Sequence, residues 1–76
     1  MTLGEYRVGI AFNPGRNKMV DEIKRAAADF IDLVETLHNS VPDGERARLI
    51  ALAQTHAEDA AMWAVKATTK EKRTDD

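Results

Sequence analysis

The chain contains no cysteine, which excludes disulfide staples and thiolate metal sites. Its two histidines, His38 and His56, lie far apart and do not form a metal-ligand pair of the usual spacing. No apolar run approaches the roughly 20 residues that span a bilayer. The N-terminus also lacks the charged-then-apolar layout of a secretory signal. The expectation is a soluble intracellular protein with no membrane partner. Neither sign of charge dominates: 11 basic against 13 acidic side chains leave a net charge of −2, which argues against general affinity for DNA or RNA. The motifs of catalysis are missing too, with no Ser-His-Asp or Cys-His order, no Gly-rich phosphate loop and no zinc signature. Glu58 and Asp59 are adjacent on a helical pattern, so they point about 100° apart and do not converge on one substrate. An enzyme is not expected, nor a metal or cofactor.

At 76 residues the chain is read as one domain, 1–76. A monomeric core of this size is marginal, and such domains lean on disulfides, metals or oligomers. With the first two excluded, oligomerisation is the remaining route to stability.

What is present is helical periodicity. Val20, Ile23, Ala27, Phe30, Val34 and Leu37 step by three and four along one helical face. The spacing predicts a first helix over about 18–38, with Asn17 as its N-cap. The break around His38–Gly44 leads to a second helix over about 43–69, and 70–76 read as a flexible tail. The second helix carries two adjacent stripes. One is Leu49, Leu52, His56, Ala60, Trp63; the other is Ile50, Ala53, Ala57, Ala60, Ala64, Ala67. One partner helix covers one stripe but not both, so the Ile50–Ala67 stripe is expected to be a subunit interface. Trp63 and Met62 are expected in the core or the interface. Residues 1–12 read as a short arm in which Val8, Ile10 and Phe12 alternate, as a brief extended piece would. The fold class is all-α: an antiparallel helical hairpin with an N-terminal arm.

The charges are polarised along this hairpin. Asp29, Asp32, Glu35, Asp43 and Glu45 lie toward the turn, with no lysine or arginine between Ala26 and Glu45. The opposite end gathers Arg16, Lys18, Lys24, Arg25, Lys66, Lys70 and Lys72. "AFNPGRN", Ala11 to Asn17, sits at that basic pole, where Pro14 fixes its own φ and pushes Asn13 out of the helical region. Backbone N–H groups at a helix N-terminus favour anions, and a ring at Phe12 would suit a nucleobase. The plainer alternatives are that Phe12 is a hydrophobic staple on the first helix, and that Lys24 and Arg25 are solvated charges near Glu22 and Asp29.

Phe12-Asn13-Pro14, then "EIK" at Glu22 to Lys24, then "EDAAMWA" at Glu58 to Ala64, resemble the small phage anti-CBASS sponge family over roughly residues 12–70. These are helical hairpins that sequester the cyclic oligonucleotide signals of bacterial immunity. The resemblance implies a hexamer of hairpins in the host cytoplasm that binds cyclic dinucleotides and cyclic trinucleotides without cleaving them. It implies that Phe12 is the stacking aromatic and Lys24 the phosphate-binding base, with two protomers clamping one cyclic dinucleotide. A separate cyclic-trinucleotide pocket, where three protomers meet, would use Asn13 with Thr69 and Lys70. The family commonly has arginine where this chain has Lys70, and can have a hydroxyl residue where it has Ala26; both departures bear on ligand range. Two other functions fit the residues: a helical adaptor or inhibitor that binds a host protein through the alanine-rich face, and a structural oligomer of a phage particle.

Overall fold

A computed structural model describes residues 1–39 and 43–73 of the chain. Helices α1 (Leu3–Val8), α2 (Lys18–Glu35) and α3 (Gly44–Thr69) follow in order, with a 3-10 turn at Thr36–Asn39 between the last two. The described residues contain no strand. Residues 40–42, in the expected break, and 74–76, in the expected tail, lie outside the described residues.

The extended piece expected in the arm is not there. Residues 3–8 are helical, started by a capping box in which the Thr2 hydroxyl accepts from the Glu5 amide at 3.1 Å and Glu5 accepts from the Thr2 amide at 2.8 Å. Gly9 ends the helix in the left-handed region at φ 64°. The spacing of Val8, Ile10 and Phe12 therefore spans a helix end and a turn, not a pleated strand.

Asn17 caps α2 as its sequence position suggests, accepting from Met19 and Val20 at 2.8 and 3.2 Å. The α-helix stops at Glu35, three residues before the expected end, where the Thr36 hydroxyl donates to the Leu33 carbonyl at 2.6 Å and the chain tightens to 3-10. Asp43 is the cap of α3 and accepts from the Arg46 amide at 2.7 Å.

Helices α2 and α3 pack antiparallel: Val20 lies near Val65, while at the other end Val34 lies near Ile50. The buried residues are Val20, Ala28, Ile31 and Val34 of α2 with Ile50 and Ala61 of α3. This corrects the six-residue seam, because Phe30 and Leu37 remain exposed and Lys24, Ala28 and Ile31 are buried instead. The rotation has a cause: α2 has two partners, so its buried arc turns toward α1. Gln54 is buried between the helices and donates to the Ile31 carbonyl at 3.2 Å and to Glu35 at 2.8 Å.

Helix α1 lies across α2 at Gly4. A Cβ added there would stand 2.1 Å from the Ala28 carbonyl oxygen, so only glycine permits the approach. The Gly4 amide donates to Asp32 at 2.7 Å. Arg7 pairs with Glu58 of α3 at 2.7 Å, and Arg25 pairs with Glu5 and Asp29 at 2.9 and 3.0 Å.

The result is a slab of 56 × 27 × 12 Å. Its radius of gyration is 15.0 Å, against about 11 Å for a compact chain of this length. Its accessible surface is 5801 Å², against about 4,600 Å² for a compact protein of this mass. Large apolar side chains stay exposed, among them Phe30, Leu33 and Leu37 of α2 and Leu49, Leu52 and Trp63 of α3, and an open apolar face lies between the two helices at Ile23, Ala26, Ala27, Ala57, Ala60 and Ala64. Trp63 is thus not a core residue of the single chain; it is 61% exposed, with the Lys66 ammonium 5.5 Å from its ring centroid. Nor is the Ile50–Ala67 stripe free as a unit. Ile50 is buried and Ala53, Ala57 and Ala64 are half-buried, while Ala60 and Ala67 are open.

Candidate functional site

The loop between α1 and α2 is built from its own side chains. The Phe12 amide donates to the Gly9 carbonyl at 2.9 Å, closing one turn, and the Arg16 amide donates to the Asn13 carbonyl at 3.0 Å, closing the next. The Asn13 side chain then ties the loop to α2. Its amide donates to the Asn17 carbonyl at 2.8 Å and to the Asp21 carboxylate at 2.9 Å, while its oxygen accepts from the Asn17 amide at 3.1 Å. Arg16 takes a left-handed conformation at φ 51° to complete the turn into the helix.

Lys24 reaches up from α2 beneath this loop. It is only 8% exposed, and its ammonium donates to the Gly9 carbonyl at 2.9 Å and to the Phe12 carbonyl. The Phe12 ring stands 5.5 Å from that nitrogen and is 71% exposed. Both plain alternatives for these two residues therefore fall. The ring is largely exposed with the Lys24 ammonium as its neighbour, and Lys24 is neither solvated nor paired with Glu22 or Asp29; Arg25, by contrast, is the exposed charge paired with Asp29 that the plain reading expects. Among the described residues no carboxylate pairs with Lys24.

Between the loop and the end of α3 lies a concavity of about 560 Å³, lined by Phe12, Asn13, Lys24, Val65, Thr68 and Thr69 among others. That volume is in the range of small-molecule sites. Four of the five residues expected from the sequence line it. Lys70 does not; it is the exposed C-cap of α3. The residues expected for two separate pockets, Phe12 and Lys24 in one and Asn13 and Thr69 in the other, adjoin a single concavity in one chain. Val65 and Thr68 were missed, although their three-residue step continues the buried face from Ala61. The helix N-terminus contributes less than expected, because Asn17 already occupies the Met19 and Val20 N–H groups.

The site has a buried cation, an accessible π-face and hydroxyls. Thr69 donates to the Val65 carbonyl at 2.9 Å, which leaves its oxygen able to accept. Among the described residues no cluster of His, Asp or Glu is placed to hold a metal ion. The arrangement suits an anion joined to a flat ring. Outside the cavity, the Thr2 backbone N–H and then Arg25 hold the Glu5 carboxyl below its ordinary value of 4.5.

The family model described as the Acb2/Tad1 hairpin domain matches residues 5–69, which takes in α1, the loop, α2 and all of α3. No curated protein and no solved structure matches the chain. The match covers most of the 76 residues and every part of the hairpin that carries the cavity, and the chain belongs to the Acb2/Tad1 hairpin family, the anti-CBASS sponges.

Proposed function

We propose that this protein binds cyclic dinucleotide immune signals and sequesters them uncleaved, so that the CBASS effector is not activated in the host cytoplasm. The observation that supports this most directly is the Lys24 ammonium, buried beneath an exposed Phe12 ring with no described carboxylate to neutralise it. A phosphate near that charge and a base on that ring use both features. Stacking of a base on an aromatic contributes on the order of 1–3 kcal/mol. A cyclic dinucleotide carries two bases on opposite sides of its phosphodiester ring, and one Phe12 stacks only one of them. A second copy supplies the other ring, so the ligand's two-fold shape calls for two protomers.

The 12 Å slab and its open apolar face favour self-assembly, and a hexamer is the assembly we propose. Asn13, Thr69 and Lys70 of adjoining copies then form the cyclic-trinucleotide pocket. Asn13 serves it as the residue that shapes the loop, since its side-chain amide is already engaged three times. The same open face also suits the adaptor reading, in which a host protein covers it. Calorimetry against cyclic di- and trinucleotides, followed by denaturation and recovery of the ligand, separates the possibilities. Tight binding with intact ligand recovered is the expected result. Recovery of linear products would make the protein a hydrolase, and no binding by an apolar-exposed monomer would favour the adaptor.

A further inference from the structure

We propose that Lys24 is a positioning residue that locks the Phe12 loop in its ring-presenting conformation before any ligand arrives. This deepens the cyclic-dinucleotide reading and rests on it for the ligand arm of the test alone. The Phe12 ring is 71% exposed, and the contact it makes is with the same Lys24 ammonium, 5.5 Å from its centroid. What fixes the ring is its backbone, and the backbone from Gly9 to Phe12 has few ties. The Gly9 amide donates to the Tyr6 carbonyl at 3.2 Å, the Ile10 amide to the Glu5 carbonyl at 3.0 Å, and the Phe12 amide to the Gly9 carbonyl. The ammonium of Lys24 donates to the carbonyls at both ends of that same turn, Gly9 and Phe12.

An ammonium has three N–H donors, so two are committed to the loop and one is left. Hydrogen bonds from a charged donor are about twice as strong as neutral ones, and Lys24 is only 8% exposed. Lys24 also reaches the loop from the middle of the buried face of α2, beside Ala61 and Val65 of α3. The long aliphatic stem thereby transmits the position of the hairpin core to the aromatic ring. The ring is pre-organised, and the entropy of fixing it is met during folding and not during binding.

The test begins on the ligand-free protein. Amide hydrogen exchange is read at Gly9, Ile10 and Phe12 in the parent, Lys24→Met and Lys24→Arg, with Gln54 and Ala61 as references for the hairpin. Lys24→Met should speed exchange at Phe12 tenfold or more relative to the references, and Lys24→Arg should restore much of the protection because guanidinium donors reach two carbonyls. Equal protection in Lys24→Met overturns the proposal. Should that variant fail to fold, NMR of the parent decides: a Lys24 ammonium in slow exchange, with scalar coupling to the Gly9 and Phe12 carbonyl carbons, supports it, and an ammonium exchanging as fast as that of exposed Lys72 overturns it.

The ligand arm is a double-mutant cycle with a cyclic dinucleotide on Lys24→Met and Phe12→Ala. Acting through the ring, Lys24 should cost at least tenfold in affinity in the parent and clearly less once Phe12 is alanine. Additive losses would show that Lys24 acts on the ligand alone, and overturn the positioning role. A parent that binds no cyclic dinucleotide overturns the proposed function, while the exchange and ammonium results still decide whether Lys24 locks the loop.

Discussion

Replacing Gly4 by alanine should detach α1 from the hairpin, against the ordinary direction of such a change. In a helix, Gly→Ala is favourable by roughly 0.5–1 kcal/mol. Here the added methyl would meet the Ala28 carbonyl oxygen at 2.1 Å and the Ala28 carbonyl carbon and Cα at 2.8 Å, all of them backbone in the middle of α2. None of these atoms can swing aside as a side-chain tip would, so α1 has to lift. Lifting it removes the Gly4–Asp32 hydrogen bond, a charged contact worth roughly 1.5–3 kcal/mol. It also removes the exposed Arg25–Glu5 pair and the half-buried Arg7–Glu58 pair. Set against the helix-propensity gain, the net loss is about 2 kcal/mol, or a fall in melting temperature of about 8–16 °C for a domain of this size. The assay is thermal unfolding by circular dichroism at fixed protein concentration, with hydrogen exchange at residues 5–8 to localise the change. A melting temperature equal to or above that of the parent, with α1 still protected, would refute the reasoning.

Phe12→Ala should abolish most cyclic-dinucleotide binding and leave the melting temperature within about 2 °C of the parent, because the ring is largely exposed; Phe12→Tyr should bind nearly as the parent does, measured by calorimetry. A cyclic trinucleotide should be largely spared by Phe12→Ala, and its parallel loss in an intact oligomer would show that the single concavity serves both ligands. Ala60→Glu, on the open face, should dissociate the oligomer by burying an unpaired charge, and light scattering that finds the parent monomeric at micromolar concentration would contradict self-assembly. Glu5, whose pKa is depressed, stabilises α1 docking above its ordinary value of 4.5 and loses that contribution as the pH falls through the lower, folded value. Exchange protection of α1 should therefore decline on acidification below about 4.5 and do so less in Glu5→Gln.

The two long helices were legible because their caps and three-and-four apolar steps are local signals, with Asn17 and Asp43 where caps belong, although the faces actually buried include Lys24 and Gln54. The arm was misread because alternation across Gly9 mimics a strand, although Thr2 and Glu5 spell a capping box in the sequence. Lys24 shows the deeper limit. Its charge suggests water or a ligand, and nothing in the spacing reveals that two carbonyls of a preceding turn will fold over it. Asn13 is similar: the Asn-Pro-Gly signal announces a turn but not that the amide will be consumed in closing it. Phe12 and Lys24 were joined only through the family resemblance; the structure sets the ring 5.5 Å from that ammonium because the loop ahead of α2 turns back over the second turn of the helix.

The buried amide of Gln54 has a consequence for how the two long helices find their alignment. Alanine recurs along α3 at 53, 57, 60, 61 and 64, and a ladder of such small, alike side chains has little to choose between one longitudinal setting and the next. Slipping α3 by a turn, about 5.4 Å, would carry the amide away from both the Ile31 carbonyl and Glu35 and set Ile50 or Glu58 in its place. A stranded buried amide costs about 1–3 kcal/mol, which is enough to make one setting dominate. The smooth face that lets the helices approach closely is thus made unambiguous by a single polar notch, and Gln54→Leu should yield a hairpin that is no less compact but slides between registers.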